Sequence, residues 1–189
     1  IEIGCGKAYF LELLARQGCE ITGFDPTYEG DSRAVRKEYF REGCGLHAKG
    51  LILRHVLEHI PDPVSFLRGI KAANGGAGII YIEVPCFDWI CQHNAWYDVF
   101  YEHVNYFRAS DLKRMFGQIL ESGTIFGGQY LYIVAELRSL KAPEFDPFDA
   151  VRFPSNFFQP LSLEKSMPLC VWGGASKGVI FSLLCERLG

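Results

Sequence analysis

Glycines at positions 4 and 6, an acid at position 2 and another at position 25 form the first group in this chain arranged for ligand chemistry. Ile1-Glu2-Ile3 reads as the end of an apolar strand, and Gly4-Cys5-Gly6-Lys7-Ala8 as a small-residue turn. Tyr9–Gln17 carries Phe10, Leu11, Leu13 and Leu14 at the spacing of a helix face packed on a sheet. Gly18 ends that helix, because glycine takes the left-handed conformation past a helix end without steric cost. A second strand, Glu20–Phe24, runs into Asp25. Strand, glycine turn, helix, strand and terminal acid make a nucleotide-binding βαβ unit. The glycines let a ligand reach the backbone, free N–H groups at the helix start face it, and the acid is placed for two ribose hydroxyls. The dinucleotide spacing G-x-G-x-x-G is not met, since its third glycine would fall at Tyr9.

A second group is Tyr101-Glu102-His103 with Tyr106, inside the aromatic stretch Cys86–Phe107. An imidazole titrates near neutral pH and suits a general base. This stretch follows the end of an apolar strand, where open α/β sheets bind ligands, and reads as both lid and pocket wall. A third group, Arg54, His55, Glu58 and His59, follows the short strand Leu51–Leu53. The fourth is Gly173-Gly174-Ala175-Ser176-Lys177-Gly178. It matches a nucleophile elbow in spacing, but no His follows the serine, so that hydrolase reading fails on chain order. It either holds a diphosphate on free N–H groups and Lys177, or is a tight turn with a solvent-facing lysine.

The elements that position these groups follow from pattern. Val35–Phe40 reads as a third strand and Ile79–Val84 as a fifth, buried on both sides and interrupted by Glu83. Between them Val64–Ala73 is an amphipathic helix ended by Asn74-Gly75-Gly76. Ser110 is the expected cap of a helix over Asp111–Phe116. Gln118–Phe126 and Gln129–Leu137 flank Gly127-Gly128 as a hairpin with a two-residue turn. Lys141–Pro168 is a proline-rich linker, and Leu169–Trp172 with Val179–Leu188 makes a further strand and helix around the second glycine turn. The expected architecture is α/β, a Rossmann-like sheet closed by an antiparallel hairpin. Residues 1–140 would form its domain, and 141–189 a linker and partial C-terminal α/β domain.

Composition narrows the function. Of 189 residues 49% are hydrophobic and the net charge is −3, with no Lys/Arg block of the kind that binds nucleic acid. No apolar run approaches the ~20 residues of a membrane span. Seven scattered cysteines without a C-x-x-C pair point to a reducing cytoplasm and to no metal. The start at Ile1, inside a strand, leads to the expectation of residues preceding it in the native chain, and the brief connection at residue 117 to a possible internal deletion. Oligomeric state is not legible.

Glu2-x-Gly4-x-Gly6-x-Ala8 resembles motif I of class I S-adenosylmethionine (SAM) methyltransferases, acid-x-Gly-x-Gly-x-Gly, with Ala8 replacing the last glycine. The run from Arg54 to Pro63 resembles the L-E-H segment after the fourth strand of such enzymes. Glu102-His103-x-x-Tyr106-Phe107, preceded by Tyr101, resembles the Y-x-E-H-x-x-Y-F signature of sugar C-methyltransferases. The terminal V-W-G-G-A-S-K-G resembles the G-A-x-x-K-G motif of that family. The family usually begins with a cysteine-rich zinc module and a helical segment that this chain lacks.

The resemblance implies SAM as cofactor, held by Glu2, Gly4, Cys5, Gly6, Asp25, Arg54 and His55, and a nucleotide-linked ketosugar met by His59, Gly174, Ser176 and Lys177. His103 would remove the proton beside the carbonyl, Glu102 would orient it, and Tyr101 or Tyr106 would donate to the enolate oxygen. The rival readings are a small-molecule O-methyltransferase, in which His103 deprotonates a hydroxyl, and a non-catalytic SAM- or nucleotide-binding protein, suggested by Ala8.

Overall fold

A computed structural model describes residues 1–157 and 170–188, which divide into two compact units. The first unit, Ile1–Cys86 with Val104–Phe145, holds a seven-stranded sheet. Its elements are β1 (Glu2–Ile3), α1 (Tyr9–Arg16), β2 (Gly23–Phe24), β3 (Val35–Arg36), β4 (Gly50–Arg54), α2 (Pro63–Ala73) and β5 (Ile79–Pro85). After the second unit's α3 (Phe87–Gln92), the first resumes with α4 (Ala109–Arg114), β6 (Ile119–Ile125) and β7 (Tyr130–Glu136). The strand order is β3-β2-β1-β4-β5-β7-β6, with the first five parallel and β7 antiparallel to both of its neighbours. The chain order reverses at β1, so the carboxyl ends of β1 and β4 flank a natural ligand crevice.

The expected sheet is present, with corrections of extent. β2 and β3 are two residues each, shorter than Glu20–Phe24 and Val35–Phe40, because β3 pairs with β2 alone and stops where its partner stops. The hairpin loop is four residues, not two: strand pairing closes at Ile125–Tyr130, and Phe126 itself takes φ 51°. The helix expected from a Ser110 cap begins two residues earlier, at Ala109 with Arg108 as its cap, because the Asp111 carboxylate accepts from the Arg108 backbone N–H at 2.9 Å. Gly18 does sit left-handed, at φ 83°, as the end of α1 requires.

Buried apolar residues of β4, β5 and β7, among them Leu51, Leu53, Ile80, Ile82, Leu131 and Ile133, form the sheet's core. Under the first glycine turn Cys5, Ala8, Leu11, Tyr28 and Val35 pack together. Ala8 precedes α1 at φ 62°, the left-handed position where motif I usually has glycine.

The second unit, Phe87–His103 with Asp146–Gly189, contributes α3, a short 3-10 turn over Trp96–Asp98, and α5 (Ser176–Leu188). Phe87, Phe153 and Phe157 pack in succession, tilted and then edge-on, at 5.8 and 4.6 Å between rings. Residues 170–172 are irregular rather than a strand, while Leu169 and much of the expected linker lie outside the described residues. Among the described residues no helix is long and apolar enough to cross a membrane.

Candidate active site

The glycine turn is held from below by Asp25. Its Oδ2 accepts from the Gly6 N–H at 2.8 Å, and its Oδ1 from the Thr27 N–H at 2.8 Å and the Thr27 hydroxyl at 2.7 Å. The acid expected to face ribose hydroxyls thus already clasps the turn, although a carboxylate has about four lone-pair positions and keeps some for a ligand. Gly4 and Gly6 stand at φ 71° and 51°. A Cβ at Gly4 would lie 2.5 Å from Val56 Cγ2, so close approach and conformation both require glycine there. Beside the turn is a cleft of about 460 Å³ lined by Gly6, Lys7, Thr27, Tyr28, Glu29 and Gly30. Burial, then the carboxylates of Glu2 and Asp25, push the Cys5 thiol up to about 11, so it stays neutral and packs.

Glu2 is 3% exposed, and its Oε2 has no hydrogen-bond partner among the described residues. Burial pushes its carboxyl up to about 7, against the pull of Arg54. Arg54 lies over the Phe10 ring at 4.2 Å and reaches Glu83 with two nitrogens, each at 3.3 Å.

Glu83, in the sequence only an interruption of an apolar strand, is the centre of a network. Besides Arg54 it receives the Tyr81 hydroxyl on Oε2 at 2.7 Å and His55 Nε2 on Oε1 at 3.0 Å. Burial alone would raise its pKa; the hydrogen bonds from His55, Arg54 and Tyr81 outweigh burial and bring it to about 2. His55 also turns Nδ1 to Glu58 Oε1 at 3.5 Å. Those two acids raise the imidazole to about 9, so it is a cation at neutral pH and no base. Its ring meets Tyr130 edge-on at 4.8 Å. The signal was available: a lone acid in an apolar strand needs a cation, and Arg54 ends the neighbouring strand. Thr27 was also missed, though Asp-Pro-Thr is a turn in which an Asp binds its own chain two residues on.

His59 is exposed and ends a 3-10 turn over Leu57–His59. In the second unit the Tyr101 hydroxyl donates to Glu102 Oε1 at 3.0 Å, and the His103 ring lies 4.0 Å from that of Phe100. Tyr106 is half-buried in the first unit. Lys177 does not face solvent alone: its Nζ meets the buried carboxylate of Asp98 at 2.6 Å, beside a Trp96–Phe181 stack at 5.3 Å. Gly174 lines a separate cavity of about 290 Å³, and Ser176 begins α5.

A family model described as a methyltransferase domain matches residues 1–119, the stretch that contains the glycine turn, Asp25 and the Glu83 network. The chain belongs to this methyltransferase domain family. SAM is the cofactor of this fold, and the first turn fits it: two left-handed glycines leave the backbone bare beside an open cleft. Among relatives, the C-methyltransferase NovU of Streptomyces niveus is 26% identical over 129 residues, covering 61% of this chain and 31% of NovU. The ubiquinone biosynthesis O-methyltransferase of Yersinia pestis (strain Pestoides F) is 32% identical over 83 residues, covering 36% of this chain and 34% of that protein. The chain thus spans about a third of the length of these curated relatives. Its fold is similar to that of the plantazolicin methyltransferase BpumL in complex with a triazolic desmethylPZN analog and SAH, at TM-score 0.54 and 13% identity over 71% of this chain and 75% of that one. An O-methyltransferase from neocarzinostatin biosynthesis in complex with SAM gives TM-score 0.51 and 17% identity over 71% of this chain and 47% of that one.

Asp25→Ala is expected to weaken S-adenosylhomocysteine binding at least tenfold by calorimetric titration. It removes two backbone hydrogen bonds to a carboxylate that hold the turn, of a kind worth about 1.5–3 kcal/mol each. Unchanged affinity would mean that the turn keeps its shape without the clasp.

Proposed function

We propose that this chain is the methyl-transferring core of a cytoplasmic SAM-dependent C-methyltransferase acting on a nucleotide-linked ketosugar, with His103 as base. The observation that carries the reading is the run Tyr101-Glu102-His103-x-x-Tyr106-Phe107, in which a phenol donates to a carboxylate at 3.0 Å next to an imidazole in the chain. The hydrogen bond to Glu102 raises the Tyr101 pKa, which keeps the phenol protonated and able to donate to a developing enolate. The match to a relative named a C-methyltransferase, over more of this chain than the O-methyltransferase match, supports it.

Glu2, Gly4, Cys5, Gly6 and Asp25 would hold SAM, which when bound supplies an electrophilic methyl group on a sulfonium. His103 takes the proton beside the sugar carbonyl, and Tyr101 or Tyr106 steadies the oxygen that gains charge. Residues 1–140 form the cofactor domain in this reading. Residues 141–189 belong to a second module whose Gly174, Ser176 and Lys177 face the diphosphate, Lys177 exchanging Asp98 for phosphate.

The test is deuterium exchange beside the carbonyl of a ketosugar nucleotide in heavy water without SAM. Wild type should exchange, and His103→Ala should slow exchange at least a hundredfold, the lower bound for loss of a positioned base. Exchange at the wild-type rate in His103→Ala removes the base. A second reading, O-methylation, rests on the 32%-identical O-methyltransferase; absence of exchange in wild type with methyl recovered on oxygen would establish it.

A further inference from the structure

His55 stands at φ 53°, a left-handed backbone that few residues other than glycine adopt, although His does so more readily than most. Its backbone N–H donates to the Glu83 carbonyl at 3.0 Å, and its two ring nitrogens lie 3.0 Å from Glu83 Oε1 and 3.5 Å from Glu58 Oε1. The groups facing it are Glu83, which also holds Arg54 and Tyr81, together with Glu58 and the Tyr130 ring. Glu58 is 1% exposed, and its Oε2 has no hydrogen-bond partner among the described residues. Its main-chain carbonyl accepts from the N–H groups of Val104 at 2.9 Å and Asn105 at 3.1 Å, and the Asn105 amide donates to the Ile60 carbonyl at 2.5 Å. Val104 is the residue after His103.

We infer that His55 is a positioning residue: anchored on Glu83, it fixes Glu58, and through the Glu58 main chain it registers the Val104–Asn105 backbone that directly follows Glu102-His103. Without the imidazole, Glu58 Oε1 loses the ring nitrogen at 3.5 Å while Oε2 already lacks a hydrogen-bond partner among the described residues. A buried polar side chain released in this way shifts, and the turn carrying the Glu58 carbonyl shifts with it. The catalytic part of this inference rests on His103 being the base; the structural part does not.

The test is amide hydrogen exchange in His55→Asn, since Asn tolerates the left-handed backbone but is too short to bridge both acids. Exchange at Val104 and Asn105 should quicken at least tenfold, with β6 and β7 amides within twofold of wild type. Unchanged exchange at 104–105, or the same acceleration throughout the sheet, overturns the inference. For turnover of a ketosugar nucleotide, kcat should fall at least tenfold with KM within threefold; a reversed split overturns the catalytic part. If His103→Ala is fully active, the functional reading fails while the exchange result still decides the positioning. Should His55→Asn not fold, the isosteric Glu58→Gln carries the same exchange test with a few-fold change, and no change at 104–105 counts against the inference.

Discussion

Glu83→Ala should lower folding stability by about 3 kcal/mol, measured as the shift of a chemical denaturation curve. Removing one partner of a buried charge network costs about 3–5 kcal/mol. Arg54 and His55 keep 27% and 38% side-chain exposure, so water recovers part of what they lose and the estimate sits at the low end. Against a typical total of about 5–15 kcal/mol this is a large share. A loss under about 1 kcal/mol would mean that solvent screens the network. The same residue sets a pH signature. The stabilisation that Glu83 gains, with its carboxyl at about 2 instead of 4.5, is complete above pH 4.5 and lost as pH falls through 2. That of His55, at about 9 instead of 6.5, is complete below pH 6.5 and lost as pH rises through 9. Glu2, at about 7 instead of 4.5, adds an earlier decline between pH 4.5 and 7. In Glu83→Gln the imidazolium keeps only Glu58, so the drop in melting temperature from pH 6.5 to 9 should shrink in the variant. Equal drops would show that Glu83 does not hold the imidazolium.

Gly4→Ala should cost about 2 kcal/mol or more and abolish S-adenosylhomocysteine binding at the concentrations that saturate wild type. The left-handed backbone alone costs an L residue roughly 1–2 kcal/mol. The added methyl also meets Val56 Cγ2 at 2.5 Å, on a β-branched side chain with few rotamers to escape into. Val56 follows His55, so the displacement enters the Glu83 network from its other side. Gly6→Ala is the control: at φ 51° it pays the backbone strain, but its Cβ meets nothing within 4 Å. Equal stability losses in the two variants would show that contact with Val56 is immaterial.

The order of elements was readable because each carries its own period and punctuation: Gly18 after α1, Asn74-Gly75-Gly76 after α2, and Gly127-Gly128 between β6 and β7. What escaped depends on pairs distant in the chain. Arg54 sits opposite Glu83 only because β4 and β5 align residue for residue from Gly50 and Ile79, and no local pattern states that register. Asp25 stands out in the sequence as the acid that ends a strand, but its partners, Gly6 and Thr27, depend on how the turn folds back over the strand end. Lys177 looked unpartnered because Asp98 lies 79 positions earlier in an aromatic run with no regular spacing. The hairpin was misjudged by two residues because Phe126 adopts a backbone ordinarily left to glycine, with its ring edge-on to Tyr130 at 5.7 Å.

The insertion of β7 between β5 and β6 leaves the sheet with two very different borders. At one, β3 presents two residues, too little backbone to template a strand from another molecule. At the other, the register slips between Ile119 and Glu121 and a glycine stands at 123, so the outer edge of β6 is kinked and carries the acid Glu121. Among the described residues, both borders of this sheet are thus blunted against edge-to-edge addition of another strand.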